Sequence, residues 1–260
     1  MDQERTLSFN ATLDRDFPGA IPANQFVSST QSALKEYGVH RGSALPLIAT
    51  CRDELAFALT AELQRAWGPA FNMAGLAGLL TLGRTGVAAA RGHAPIVSGR
   101  RTFVLFGLTH VGVDDAGTIG SCERPGVPGP SKTCGALMAL HDVLRGGDAH
   151  TSDYPYLDPA DPEQSRLRER ITPLVADPLN VDLLAITRIA RDLIDQDGDT
   201  VTQVLRDDDI PADIAVFTGI HIHGPRGAEY VELGQCLFDH DGEITQLSLT
   251  TSTPALTPTA

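Results

Sequence analysis

Two short runs constrain this chain more than any other feature. Leu45-Pro46-Leu47-Ile48-Ala49-Thr50 and Thr102-Phe103-Val104-Leu105-Phe106-Gly107-Leu108 are apolar and carry no charge. A strand with one wetted face alternates apolar and polar residues, whereas an unbroken apolar run of this length suits a strand covered on both faces, the situation of a parallel sheet between helices. Each run leads straight to a residue with metal-binding chemistry, Cys51 after the first and His110 just past the second. Open α/β sheets bind ligands beyond the carboxyl ends of their strands, so both residues are expected at that edge.

The rest of the chain supplies helices to cover such a sheet. Spaced apolar positions over Gln25 to Tyr37, closed by Gly38, suit a short helix. From Asp53 to Trp67, Leu55, Leu59 and Leu63 recur every four residues, an amphipathic pattern stopped by Gly68-Pro69. A further helix is expected to start near Cys134, with Ser131 as N-cap and Leu137, Leu140, Val143 and Leu144 facing inward. Helices follow at about 163–176 and 181–206, then strands over Ile214 to Ile222 and Tyr230 to Phe238. The fold class is therefore α/β, a mainly parallel central sheet flanked by helices. A single catalytic domain over 1–260 is expected, with an N-terminal arm at 1–20, an exposed connection at 146–162 and a flexible Thr- and Pro-rich tail at 250–260.

Composition narrows the partners. With 42% hydrophobic and 20% charged residues the chain has enough apolar material for a core. A net charge of -13 argues against nucleic acid, which needs a basic stripe, and is easier to reconcile with a small uncharged substrate. The stretch from Met73 to Ala90 is broken by glycines and Arg84, so no membrane span is expected there. The N-terminus carries no basic region followed by an apolar run, and a cytoplasmic protein is expected. Four cysteines are too few for a disulfide scaffold and are better read as packing or metal-binding thiols.

Zinc takes thiolate and imidazole ligands, and a catalytic site uses three of them while leaving the fourth position to water. Cys51, His110 and Cys134 form such a set, although their separation in sequence is far wider than in a local zinc finger. Cys122 competes with Cys134 for this role and His93 with His110; Cys236, between apolar residues, reads as core. His221 and His223 alternate on an expected strand and face one side, which reads as structural unless a third ligand lies nearby. Asp53, two residues after Cys51, is placed to reach the metal or accept a hydrogen bond from its water. Arg124 is the expected partner that lowers the pKa of Asp53 and keeps it off the metal, with Arg84 the alternative. The glycines from Gly75 to Gly92 lack a phosphate-loop pattern and are expected to permit tight backbone packing near the site.

Four motifs occur in order: Cys51-Arg52-Asp53-Glu54, Gly83-Arg84-Thr85-Gly86, Thr109-His110-Val111-Gly112-Val113-Asp114 and Thr133-Cys134-Gly135-Ala136. Together, over roughly residues 40–145, they resemble the limiting-CO2-inducible protein B/C family, the theta-class carbonic anhydrases. The resemblance implies a beta-carbonic-anhydrase-like fold, zinc on Cys51, His110 and Cys134, Asp53 and Arg124 beside its water, and a homodimer. It implies reversible hydration of carbon dioxide to bicarbonate, because bound zinc lowers the pKa of its water from 15.7 to about 7 and supplies hydroxide at neutral pH. The chain departs from the pattern at Glu123, where a histidine able to shuttle protons is expected; Glu123, His93 and Glu54 are the candidates for moving the proton. A non-catalytic zinc- or bicarbonate-binding partner or sensor is the alternative, and a zinc hydrolase a weaker one.

Overall fold

A computed structural model describes residues 2–124, 126–146 and 157–249. Its centre is the pair of runs already singled out. The first is β2 (Leu45–Thr50), in which all six residues are buried, and the second lies within β5 (Arg100–Gly112), buried from Thr102 to its end. They pair in parallel, Leu45 opposite Phe103 through Thr50 opposite Leu108. On the other side of β5 runs β8 (Ala212–His223), also parallel, and outside β2 the two-residue β3 (Phe71–Asn72) continues the parallel core.

The sheet then changes sense. A bulged hairpin brings β9 (Glu229–His240) back antiparallel to β8, and β1 (Ile21–Pro22) and β10 (Glu243–Gln246) pair with β9. The strand order is β1-β9-β8-β5-β2-β3, and the short β4 (Ile96–Val97) pairs antiparallel with the start of β5. A separate two-stranded ribbon, β6 (Ser121–Glu123) with β7 (Pro130–Lys132), stands between β5 and the helix that follows Cys134.

Because strand side chains alternate, each strand feeds two layers. Val104, Phe106 and Leu108 of β5 and Ala215 and Phe217 of β8 pack under α2 (Ala23–Lys35) and α3 (Phe57–Trp67), joined by Phe26, Leu59, Leu63 and Trp67. Phe106 stacks on Phe217 with centroids 5.6 Å apart, and Phe26 meets both edge-on. On the opposite face Phe103, Leu105, Ile214 and Val216 meet Val201 and Leu205 of α7 (Leu183–Arg206) and Val87 of α4 (Gly83–Ala90). At about 1.5–3 kcal/mol for each fully buried large apolar side chain, these two layers provide the main drive for folding. Toward the carboxyl ends, α5 (Gly135–Gly146) and α6 (Pro162–Ile171) complete the second face with Leu137, Leu140, Leu167 and Ile171.

Several boundaries differ from the sequence expectation. The N-terminal segment read as an arm carries a helix, α1 (Asp2–Asp16), and Phe9 and Leu13 on it, with Phe17 just past its end, are buried in the core at four-residue spacing. The strand carrying His110 runs on to Gly112, so His110 sits inside it and not beyond it. Ser131 lies in β7 and does not cap α5. The expected tail at 250–260 and most of the 146–162 connection lie outside the described residues. Among the described residues, no helix is long and apolar enough to cross a membrane.

Candidate metal centre

Three chain segments meet at the carboxyl edge of the parallel strands. Cys51 follows the last residue of β2 and bridges to Gly75, His110 is third from the end of β5, and Cys134 immediately precedes α5, where its carbonyl accepts from the Met138 N–H at 3.0 Å. The turn after Gly75 must approach these strand ends closely. Gly78 adopts φ +79°, and a Cβ there would lie 2.2 Å from the carbonyl oxygen of Leu108, so only glycine allows that turn to lie against β5 two residues before His110. The close packing expected of these glycines is present at Gly75, Gly78 and Gly86, whereas a Cβ at Gly83 or Gly92 would meet open space.

The ligand atoms of Cys51, His110 and Cys134 all lie within 4.8 Å of one another, and the three residues are buried. Cys51 Sγ and Cys134 Sγ are 3.7 Å apart, and both are free thiols. Two thiolates on a tetrahedral zinc, each about 2.3 Å from the ion, stand roughly 3.8 Å apart, so the spacing fits. His110 Nε2 is buried and, among the described residues, has no hydrogen-bond partner. A buried ring nitrogen without a partner costs free energy unless something fills the role, and a metal ion would. The donor set and its geometry therefore fit zinc. The Cys134 thiol, by hydrogen bonding to Cys51, holds the Cys51 thiol well below its usual pKa against the opposing effect of burial, with His110 adding to the effect. The Cys51 sulfur and burial together push the Cys134 thiol up.

Asp53 stands beside this cluster. Its side chain caps the short 3-10 turn that leads into α3, accepting from Leu55 N at 3.2 Å, and its Oδ2 is 4.0 Å from His110 Nε2. Arg124 clamps it with two parallel bonds, Nη1 to Oδ1 at 3.0 Å and Nη2 to Oδ2 at 2.9 Å. Burial opposes ionisation of Asp53, yet the Arg124 fork, the Leu55 N–H and nearby His110 outweigh it and hold the carboxyl below its ordinary range. Arg124 is itself held by the Lys132 carbonyl at 3.1 Å and by Glu54. Arg52 points outward and pairs with Glu163 of α6 at 2.6 Å. A cavity of about 310 Å³ reaches Cys51, lined among others by Thr50, Arg52, Phe57, Thr60 and Asn72.

The structure separates the remaining candidates. The partner of Asp53 is Arg124; Arg84 is exposed on α4 and makes no contact with Asp53. Glu123 is exposed at the end of β6. Cys122 is buried against Thr133, with Sγ 2.5 Å from its Oγ1, and lies outside the three-ligand cluster. His93 rests on the ring of Phe71 and lines a different cavity with Arg41, Leu45 and Trp67, at the opposite end of β2 from Cys51.

One group was legible in the sequence only in part. His221 is the cross-strand neighbour of His110, and His223 that of Gly112. Both follow the odd-numbered face of β8 set by Ala215 and Phe217, the face to which His110 belongs on β5. Glu229, opposite His223 on β9, brings its carboxylate between the two rings, 3.7 Å from His221 Nε2 and 3.8 Å from His223 Nδ1. The other ring nitrogen of His223, Nε2, meets His110 Nδ1 at 3.0 Å. Burial, then the field of His221, lowers the pKa of His223 to about 3, and burial also lowers that of His221. Burial opposes ionisation of Glu229, but the two imidazoles hold its carboxyl at about 2. The His-x-His alternation was visible; its third member depends on the β8–β9 register, which was not.

A parallel α/β core with a Cys-His-Cys cluster at its carboxyl edge and an Asp-Arg pair beside it defines a domain of the beta-carbonic-anhydrase type. The sequence profile of the limiting CO2-inducible proteins B/C beta carbonic anhydrases matches residues 20–236, and the chain belongs to that family. It is similar to the crystal structure of PtLCIB4, a homolog of the limiting CO2-inducible protein LCIB, with 25% identity and a TM-score of 0.78 over 92% of this chain and 99% of that one. Against the crystal structure of limiting CO2-inducible protein LCIB itself, the identity is 26% and the TM-score 0.72, covering 92% and 98%. None of the curated proteins matches the chain.

Proposed function

We propose that this protein is a zinc-dependent carbonic anhydrase, a cytoplasmic lyase that interconverts carbon dioxide and bicarbonate. The observation that carries the reading is the buried Cys51, His110 and Cys134 cluster with the clamped carboxylate of Asp53 beside it. Zinc held by those three ligands would lower the pKa of a coordinated water to about 7 and so supply hydroxide for attack on carbon dioxide. The chain's own residues would do the rest. Asp53, with both oxygens turned to Arg124, is kept from filling the open ligand position and presents Oδ2 toward the cluster as a hydrogen-bond acceptor. That acceptor orients the reactant oxygen and holds its hydrogen away from the attacking lone pair. Arg124 supplies a fixed positive charge next to the anionic product. Glu54, exposed and in contact with Arg124, is the carboxylate best placed to pass the proton to solvent, with Glu123 beside Arg124 in the chain.

The test is stopped-flow carbon dioxide hydration by protein of measured zinc content. Wild-type turnover that disappears together with the metal in Cys51→Ser supports the reading. A second reading, a zinc- or bicarbonate-binding partner without turnover, is favoured by one observation: Asp53 has both oxygens committed to Arg124, leaving it little freedom to exchange protons. Zinc-replete protein inactive from pH 6.5 to 9 would select it. The homodimer belongs to the same proposal, and light scattering should then give about twice the chain mass of 27.6 kDa.

A further inference from the structure

We infer that His223 and Glu229 are positioning residues for the metal centre, forming with His110 a buried imidazole–imidazole–carboxylate chain that fixes which ring nitrogen of His110 is free to bind zinc. The inference rests on the zinc reading above and follows from counting ring protons.

A neutral imidazole has one N–H and one lone pair. To bind zinc through Nε2, the nitrogen facing the two cysteines, His110 must carry its hydrogen on Nδ1. A ligating histidine commonly donates that other N–H to a carboxylate, carbonyl or water, which fixes ring orientation and raises ligand basicity. Here the only atom offered to Nδ1 among the described residues is His223 Nε2 at 3.0 Å. It can accept only as a lone pair, so the hydrogen of His223 must be on Nδ1. That atom faces Glu229 Oε1 at 3.8 Å, and the carboxylate is the group that favours this tautomer. His221 Nε2, 3.7 Å from the other carboxylate oxygen, holds Glu229 from the far side. The three histidines are buried and the Glu229 side chain is 22% exposed, so water has little access to the contact between His110 and His223.

The same count decides a rival assignment. His221, His223 and Glu229 bring three ligand atoms within 4.8 Å of one another and could be taken for a second metal site. A metal there would use the Nδ1 lone pair of His223 and force its hydrogen onto Nε2, pointing at His110 Nδ1. His110 would then have to accept at Nδ1 and carry its own hydrogen on Nε2, closing the atom that completes the cysteine cluster. One hydrogen in one 3.0 Å contact serves one cluster, so zinc at Cys51, His110 and Cys134 leaves the second trio as the end of the chain, without a metal.

The experiment measures zinc affinity of the full chain by chelator competition, together with long-range proton–nitrogen spectra of the imidazoles in zinc-loaded protein. Wild type should bind one equivalent, and Cys51→Ser should lose it; if it does not, the zinc reading itself fails and not this inference. His223→Leu should weaken binding about 10–100-fold, as losses of outer-shell partners do. His223→Gln, whose amide oxygen accepts the same hydrogen, should recover most of that loss, which a merely space-filling role would not produce. The spectra should show hydrogen on Nδ1 of both His110 and His223, a readout that stands even where His223→Leu does not fold. Wild-type affinity in folded His223→Leu would overturn the inference, as would hydrogen on His223 Nε2 in the loaded protein. A second zinc equivalent abolished by Glu229→Gln while the first remains would also overturn it.

Discussion

Replacing Arg124 by Met removes the clamp on Asp53 while keeping most of the side chain's apolar length, and the structure fixes what this should cost. The pair is joined by two bonds of 3.0 and 2.9 Å between side chains 17% and 11% exposed, so solvent screens it only partly. Breaking a buried ion pair by deleting one partner costs about 3–5 kcal/mol. The Leu55 N–H remains on Asp53, and residual exposure lets water reach the orphaned carboxylate, so roughly 2–3 kcal/mol is expected here. For a chain of this size that corresponds to a fall in Tm of about 4–12 °C. The pH dependence gives the reasoning a second handle. Asp53 has a depressed folded-state pKa, so its contribution is complete above the unfolded value near 4 and is lost as pH falls through the folded value. The stability gap between wild type and Arg124→Met should therefore be full at pH 7 and shrink below about pH 4. Urea unfolding followed by circular dichroism, with chelator present so that metal linkage does not enter, measures both. A gap below about 0.5 kcal/mol at pH 7 would refute the argument, because it would place the pair among exposed bridges of negligible worth. A gap unchanged by acid would show that Arg124 acts through packing and not through the Asp53 charge.

Other substitutions separate the parts of the site. Asp53→Ala should keep stoichiometric zinc and lose carbon dioxide hydration by at least about tenfold, since Asp53 orients and does not ligate in this reading. Stopped-flow assay beside a zinc determination checks both halves. Gly78→Ala should destabilise by more than about 1 kcal/mol, because φ +79° strains any side chain and its Cβ would meet the Leu108 carbonyl at 2.2 Å; thermal unfolding reports it. Cys122→Ser should leave zinc affinity unchanged in the same competition assay, since Cys122 is tied to Thr133 and stands outside the ligand trio.

What the sequence showed depended on how local the signal was. The two uncharged runs were legible because burial on both faces leaves no room for charge, and their edge carried Cys51 and His110 with them. Asp53 and Arg124 were paired from charge and loop placement, and the structure joins them. The helix over Asp2–Asp16 was less legible because its buried phenylalanine and leucine, Phe9 and Leu13, stand in a polar segment, and the surface that buries them comes from residues far along the chain. The end of β5 was missed because Thr109 and His110 interrupt the apolar run, although tertiary contact buries both. Glu229 could not be assigned to His221 and His223 from sequence at all, since a one-residue slip of β9 against β8 would turn its carboxylate to the other face.

The same register explains why the metal site is built where it is. The β8–β9 bulge between Phe217 and Gly219 leaves the alternation of β8 intact, so His221 and His223 stay on the face of His110 while an extra residue is absorbed by β9. Glu229 then falls opposite His223, and a carboxylate that would be costly to bury alone is placed against two imidazoles. Near the strand end the pattern repeats in another form, with Asp53 buried only because Arg124 reaches it from the β6–β7 ribbon. Each anionic side chain near the three ligands thus has its partner delivered by a different element. Disturbing the hairpin or the ribbon should therefore be felt at the metal centre without touching a ligand.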